Sequence, residues 1–465
     1  MHRNIVKIAG LVLTALLVVM VYQTYIQVFQ GQQLLNHPRN RRLQILEEAV
    51  HRGRIIDAAG HVVAETVAAG QAKKRRYPFG DMLSNITGYV SGKYGRAGLE
   101  AAYNPELLGL RRDYGWDDFW ALQRTGPART GNDIVLSLDI ELQKLAYNLM
   151  GARKGAVVAI EPSTGRILAM VSRPGYNPED VEARWADLQG HPDSPLLNRA
   201  AQGLYPPGSI MKVITAAGVL SRNPATANRV FDAPGYIVIE GRRIEDSQAK
   251  GRFNLTGALA RSSNYVFAAL GIELGSQAFI KMAQSFGIGR DLPFDLPAED
   301  GRIPAAGTLS RLELGESAIG QGRVMVTPLN MALAAAAVAN GGQIMTPSLV
   351  DQIRNPDGIV IRSFQPRVLW QPIDGNTSDI LRDMMAAAVN RGTGVEADIP
   401  GIRVAGKTGS AENPHGPTHA WFIGFAPADN PRVAVAVIVE NGGAGGRVAA
   451  PLAREIMKAV IGNKR

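Results

Sequence analysis

The chain has 465 residues, 50 Lys and Arg against 41 Asp and Glu, a net charge of +9 and no cysteine. Such a length accommodates two or three domains with ample core, and a thiol-free composition suits an oxidising compartment. The excess positive charge comes without a nucleic-acid-binding motif, and there is neither Cys nor a His-Glu-x-x-His pattern, so composition argues against a nucleic-acid partner and against zinc chemistry.

At the amino end, Ile8 to Tyr22 is apolar apart from Thr14, and the run continues as Gln23-Thr24-Tyr25-Ile26-Gln27-Val28-Phe29. Residues 8–29 are just long enough to cross a bilayer as a helix, and no small-residue cleavage site follows. A retained anchor is expected there, with residues 1–7 as a short tail. Flanking charge does not choose an orientation: Arg3 and Lys7 stand on one side, Arg39, Arg41 and Arg42 on the other. Residues 30–130 mix basic stretches, Gly and aromatics and read as a small pedestal domain. Its run Lys73-Lys74-Arg75-Arg76 is expected on a solvated face, with Trp116 and Trp120 in the core.

Residues 131–465 read as one larger domain. Gly155 to Glu161 and Arg166 to Val171 flank Pro162-Ser163-Thr164-Gly165 and predict a hairpin. Further strands are expected over 402–410, 419–426 and 432–440, and a closing helix over 451–461. Thr327 reads as an N-cap with Pro328 as the first helical residue, and that Ala-rich helix ends at Asn340-Gly341-Gly342. Strands at both ends with helices between imply an α+β domain, its antiparallel sheet assembled from the two termini and flanked by helices.

The chemistry centres on Ser209-Ile210-Met211-Lys212, which follows Tyr205-Pro206-Pro207-Gly208. Residues three apart on a helix share a face, so Lys212 can reach the Ser209 hydroxyl, and the prolines with Gly208 place the helix start at or beside Ser209. A second copy, Ser247-Gln248-Ala249-Lys250, shows that spacing alone decides nothing. Lys212 runs into the apolar Val213-Ile214-Thr215-Ala216-Ala217-Gly218-Val219-Leu220, which suits burial, whereas Glu245 and Asp246 before the second copy and Gly251-Arg252 after it suggest a solvated turn. Burial matters because a lysine with the ordinary pKa near 10.4 is protonated at pH 7; lowering it by roughly 3 units takes about 4 kcal/mol. Ser209 is therefore read as the nucleophile and Lys212 as its base.

Two further motifs follow. Ser262-Ser263-Asn264 offers a hydroxyl for proton relay and an amide that donates and accepts, at the edge of a buried helix over Tyr265-Val266-Phe267-Ala268-Ala269-Leu270. Lys407-Thr408-Gly409-Ser410 lies on a strand where Gly406 and Gly409 leave room for a substrate backbone, and its lysine and hydroxyls suit a carboxylate. Ser221-Arg222-Asn223, Arg124-Thr125-Gly126 and Arg129-Thr130-Gly131 mimic these motifs in the wrong context or order. His415 and His419 are four apart, but Gly416-Pro417 breaks any helix between them, which favours a loop pair over metal ligation.

This ordered trio resembles the penicillin-binding protein transpeptidases and the related serine β-lactamases. So do Leu196-Leu197-Asn198-Arg199-Ala200 ahead of the nucleophile and Ala318-Ile319-Gly320-Gln321-Gly322 with Thr327-Pro328-Leu329-Asn330-Met331. Arg52-Gly53-Arg54-Ile55-Ile56-Asp57 and Gly98-Leu99-Glu100-Ala101-Ala102-Tyr103 resemble the monofunctional class B branch, which carries a dimerisation-like pedestal. Ile210-Met211 stands where many relatives have Thr-Phe. Only about 130 residues precede the catalytic domain, too few for the glycosyltransferase domain of bifunctional relatives.

The resemblance implies a membrane-anchored enzyme, with its catalytic domain outside the cell membrane, that acts on the D-alanyl-D-alanine end of peptidoglycan stem peptides. Ser209 attacks, Lys212 takes its proton, and Ser262 relays the proton to the leaving D-alanine. Asn264 holds the peptide backbone, and Lys407, Thr408, Gly409 and Ser410 bind the terminal carboxylate, with Lys407 helping to keep Lys212 neutral. The backbone N–H groups of Ser209 and Ser410 form the oxyanion hole. No cofactor or metal is implied; β-lactams are the expected inhibitors, and other wall-synthesis proteins the expected partners. A carboxypeptidase or β-lactamase would use the same residues with water as acceptor, and a β-lactam sensor or a scaffold would not need turnover.

Overall fold

The computed structural model describes residues 2–26, 29, 50–69, 72–110, 130–246, 249–414 and 416–462. Trp116, Trp120, Ser247, His415 and the Arg39, Arg41 and Arg42 group lie outside these residues.

The apolar amino-terminal run forms a single helix, His2–Tyr25, whose apolar side chains are exposed. At 1.5 Å per residue it spans about 36 Å, enough for the hydrocarbon core of a bilayer.

A five-stranded antiparallel sheet forms the centre of the larger unit, in the order Ala405–Ala411, His419–Ala426, Val433–Val439, Gly155–Ile160, Ile167–Arg173. The sheet is thus built from both ends of residues 131–465, as the pattern predicted. Its inner strands Gly155–Ile160 and Val433–Val439 are apolar throughout, yet alternation persists as a division between two cores. Ala156, Val158, Ile160, Ala434, Ala436 and Ile438 face a core shared with helices Met211–Arg222, Asn264–Leu274 and Pro328–Ala339. Val157, Ala159, Val433, Val435 and Val437 face the other, shared with helices Ile140–Met150 and Gly445–Gly462. Both faces are covered, which explains near-continuous hydrophobic strands in an antiparallel sheet.

Two boundaries differ from expectation. The closing helix begins at Gly445 rather than at Pro451, which sits inside it. Pro451 gives up its bond to the Arg447 carbonyl, and the helix runs through it because Ala449, Ala450, Leu452 and Ala453 on either side are buried against the sheet. The strand that carries Lys407 runs Ala405–Ala411 rather than from residue 402, while the strand His419–Ala426 lies where it was expected. The Thr327 N-cap is confirmed, as a reciprocal capping box with Asn330.

A second, six-stranded sheet runs Val360–Ser363, Val350–Arg354, Asp133–Leu136, Ile55–Ile56, Val62–Ala69, Ala72–Arg76. It joins amino-terminal strands to strands far along the chain, so the two units share a continuous sheet. The basic run over 73–76 is not uniformly solvated. Lys74 bonds Glu179 at 2.6 Å, and Arg75 is buried against Glu100 at 2.7 Å, with Arg52 on the same carboxylate at 2.6 Å. Strand alternation turns Arg75 inward while Lys74 and Arg76 face out. The two segments that resemble the class B branch, around Arg52 and Glu100, are therefore the halves of one buried ion cluster.

Candidate active site

Pro206 and Pro207 end the preceding segment, and Gly208, at φ +56°, opens a 3-10 turn Gly208–Ile210 that feeds the helix Met211–Arg222. Ser209 thus lies in the turn just before the helix. The turn is clamped on several sides. Gly208 N donates to Gly320 O at 2.8 Å, Trp421 Nε1 donates to Pro206 O at 3.0 Å, and Tyr205 exchanges backbone bonds of 3.0 and 2.9 Å with Val326. Arg199 and the Tyr205 hydroxyl both donate to Glu440 Oε1 at 2.7 Å. A Cβ on Gly320 would lie 1.8 Å from Gly208 O, so only glycine fits beside the nucleophile turn.

Lys212 is fully buried, and its Nζ donates to Ser262 O at 2.6 Å, Asn264 Oδ1 at 2.7 Å and Ser262 Oγ at 3.3 Å. Among the described residues no hydrogen bond joins it to Ser209, because these oxygens draw the amine toward the Ser262–Asn264 turn. The two short contacts go to carbonyl oxygens, which only accept. They use both N–H groups of a neutral amine and leave its lone pair for a hydroxyl proton. Burial pushes the Lys212 pKa down to about 7, against the opposing charge of Asp246.

Ser262 follows the helix Leu255–Ala260 at φ +60°, the left-handed conformation that usually calls for glycine. Ser262 N donates to Leu259 O at 3.1 Å and Ser263 N to Ala258 O at 2.9 Å, the paired bonds of a Schellman cap. A serine in that place is strained by about 1 kcal/mol, and the strain sets its hydroxyl between two lysines. Asn264 is oriented at both ends: Nδ2 donates to Glu245 O at 3.0 Å while Oδ1 accepts from Lys212.

Lys407 is also fully buried, donating to Ser262 Oγ at 3.0 Å and Thr408 O at 2.9 Å. Burial, and then the charge of Lys212, pushes its pKa well below the ordinary lysine value. The repulsion between the two buried amines is mutual, so each disfavours a proton on the other. The strand Ala405–Ala411 is an edge strand, and Thr408, Gly409 and Ser410 face a cleft of about 650 Å³ that also exposes Ser209, Ser262 and Asn264. Lys407 lies behind this wall. A Cβ on Gly409 would meet Ile210 Cγ2, Pro207 O and Trp421 Cβ, each at 3.1 Å, which is how closely this strand packs on the nucleophile turn.

All three motifs therefore meet at one place. Sequence reasoning missed Thr393, whose Oγ1 lies 2.6 Å from Thr408 Oγ1, and Arg447 and Glu396 on the cleft wall. It also misplaced Asp246, which is only 7% exposed and bonded to Ser263, not part of a solvated turn. Lys250 is exposed, as read. Among the described residues no group of three or more His, Cys, Asp or Glu is placed to hold a metal ion.

Residues 155–458 match the penicillin binding protein transpeptidase domain, and residues 52–134 the penicillin binding protein A dimerisation domain. The chain is 34% identical over 496 residues to the peptidoglycan D,D-transpeptidase PbpA of Mycolicibacterium smegmatis, with 99% of each covered. The structure of penicillin-binding protein A from M. tuberculosis as a ceftriaxone acyl-enzyme complex matches with a TM-score of 0.83 at 34% identity, covering 90% of this chain and 100% of that one. The D,D-transpeptidase domain from Eggerthella lenta matches with a TM-score of 0.81 at 36% identity, covering 89% and 99%. Clamped serine turn, buried lysine pair and edge strand thus occur within a fold and sequence shared along almost the whole chain, which belongs to the penicillin-binding protein transpeptidase family, class B branch.

Proposed function

We propose that this chain is a peptidoglycan D,D-transpeptidase that cross-links stem peptides through an acyl-enzyme on Ser209 and is inhibited by β-lactams. The observation that carries this reading is Lys212: a buried amine at the pKa of a working base, one helical turn from a cleft-exposed serine. Ser209 Oγ attacks the penultimate carbonyl carbon as its proton passes to the Lys212 lone pair. The N–H groups of Ser209 and Ser410 hold the oxyanion, each worth about 3 kcal/mol in such sites. The C–N bond to the terminal D-alanine then breaks as Ser262, hydrogen-bonded to both lysines, relays a proton to the leaving nitrogen. An amine from a second stem peptide resolves the ester.

The free edge of Ala405–Ala411 suits an extended peptide, with Asn264 across the cleft from it, while Gly409 serves the close packing of this strand on the nucleophile turn. Thr408 and Ser410 present hydroxyls to the terminal carboxylate. That anion favours a proton on Lys407 behind them, so binding restores the charge that burial removes.

The same reading places residues 8–29 across the cell membrane as a single-pass anchor, residues 1–7 inside, a pedestal over 30–130 and the catalytic domain over 131–465 outside. Other wall-synthesis proteins are the partners it implies. Intact-mass spectrometry with benzylpenicillin tests the centre of this proposal. A long-lived adduct mapping to Ser209, lost in Ser209→Ala while the fold persists, is expected; labelling of Ser209→Ala would sink the assignment. Rapid release of opened antibiotic would instead favour a hydrolytic relative.

A further inference from the structure

Asp246 belongs to none of the three motifs. It follows the strand Arg242–Glu245, its N–H is tied to Gly235 O at 2.8 Å, and its side chain turns into the protein. Asp246 Oδ2 accepts from Ser263 Oγ at 2.6 Å and from Tyr265 N at 2.9 Å. Ser263 is itself the N-cap of the helix Asn264–Leu274, accepting from Val266 N at 3.3 Å. The carboxylate therefore fastens the first turn of that helix, where negative charge is favoured by the exposed N–H groups. The preceding residue, Glu245, holds Asn264 Nδ2 through its carbonyl at 3.0 Å. One strand end thus grips both residues flanking the Ser263–Asn264 peptide.

We propose that Asp246 is a positioning residue for Lys212: it holds the Ser262 carbonyl and the Asn264 amide oxygen as a preformed pair of acceptors, and its charge sets the pH range over which the amine can deprotonate Ser209. This rests on the reading of Ser209 and Lys212 given above. The charged groups around the Lys212 amine are Lys407, through the shared Ser262 hydroxyl, and Asp246, whose charge opposes the effect of burial. From the helix Asn264–Leu274 come the uncharged Asn264 amide, at 2.7 Å, and the Phe267 ring, 5.9 Å away, and Glu245 and Arg261 line the cleft beyond.

Geometry and charge separate cleanly by substitution. In Asp246→Asn the amide oxygen can occupy the Oδ2 position and accept both bonds while the charge is gone. In Asp246→Ala both acceptor bonds are lost. The experiment is the rate of Ser209 acylation by benzylpenicillin across pH 5–9 for the full chain in detergent, with thermal melting of each variant. For Asp246→Asn the acid limb should move to lower pH by roughly half to one unit, with the plateau within about threefold of wild type, because removing a nearby anion disfavours the ammonium. For Asp246→Ala the plateau should fall about ten- to a hundredfold. A purely structural role moves melting and plateau but not the limb, so an Asp246→Asn profile that superimposes on wild type overturns the proposal, as does an unchanged Asp246→Ala plateau. Should Asp246→Ala not fold, the Asp246→Asn limb still decides. A wild-type chain that is never acylated overturns the Ser209 reading itself, and is distinguished by appearing without any substitution.

Discussion

Lys212 and Lys407 converge on one hydroxyl: their amine nitrogens lie 3.3 and 3.0 Å from Ser262 Oγ, and both side chains are fully buried. Two ammonium groups bridged by one oxygen in a dry site cannot both be charged without large cost, so the cluster favours at least one neutral amine near pH 7. A serine hydroxyl between two amines can accept a proton from one side and donate to the other, which is what a relay requires.

Acylation should therefore depend on a group with a pKa of about 7. Below it Lys212 is protonated, and the benzylpenicillin acylation rate should fall about tenfold per pH unit. Stability carries the same signature. A lysine whose folded pKa is depressed makes the unfolded chain bind more protons between about 7 and the ordinary value of 10.5, so wild-type stability should gain with rising pH over that window and the cost be fully present below it. Lys212→Met should accordingly melt higher relative to wild type at pH 6.5 than at pH 9, measured by calorimetry at both.

The left-handed backbone of Ser262 separates strain from chemistry. Ser262→Ala and Ser262→Gly both remove the hydroxyl and should slow acylation equally, by about a hundredfold. The Gly variant should nevertheless be more stable than the Ala variant by about 1 kcal/mol, since only Ala retains the Cβ penalty at positive φ. Parallel denaturation curves and acylation rates check both halves.

Gly320 does not line the cleft, yet its carbonyl accepts from Gly208 N and supports the nucleophile turn. In Gly320→Ala the new Cβ would start 1.8 Å from Gly208 O, with φ at +82°. The turn must move, and a displacement near 1 Å costs about a hundredfold where reacting groups have to align. We expect acylation to fall by that order while circular dichroism keeps its native shape. A rate near wild type would show that the turn can shift without consequence.

Far from the cleft, Glu100 binds Arg52 and Arg75 at 2.6 and 2.7 Å with no exposure. Burial pushes its carboxyl pKa up, but the two guanidinium groups outweigh it and the net direction is down. Its contribution to stability is thus present above the ordinary carboxylate value and lost as pH falls through the lower folded one. Glu100→Gln leaves two buried cations without their anion and should cost about 3–5 kcal/mol, with normal acylation in the fraction that folds. Melting and penicillin titration of the same sample separate the two effects.

The local code of this chain determined a good deal by itself. Pro206, Pro207 and Gly208 mark a turn, the apolar run after Lys212 announces burial, and Thr327-Pro328 and the hairpin at Pro162-Ser163-Thr164-Gly165 are legible because capping and turn chemistry act over a few residues. The amino-terminal helix is legible for the same reason, since length and apolarity suffice. What decides the site acts over long separations. Nothing near residue 212 says that its amine will turn to Ser262 and Asn264, that Asp246 will be drawn in from an acidic stretch to cap Ser263, or that Thr393 will meet Thr408. Arg75 shows the limit within a single strand. Four consecutive basic residues look alike in sequence, and only pairing with Val62–Ala69 and the approach of Glu100 turn one of them inward. Periodicity tells which residues share a face; which face meets the core, and which charge finds a partner there, follows from packing between segments that the chain order keeps far apart.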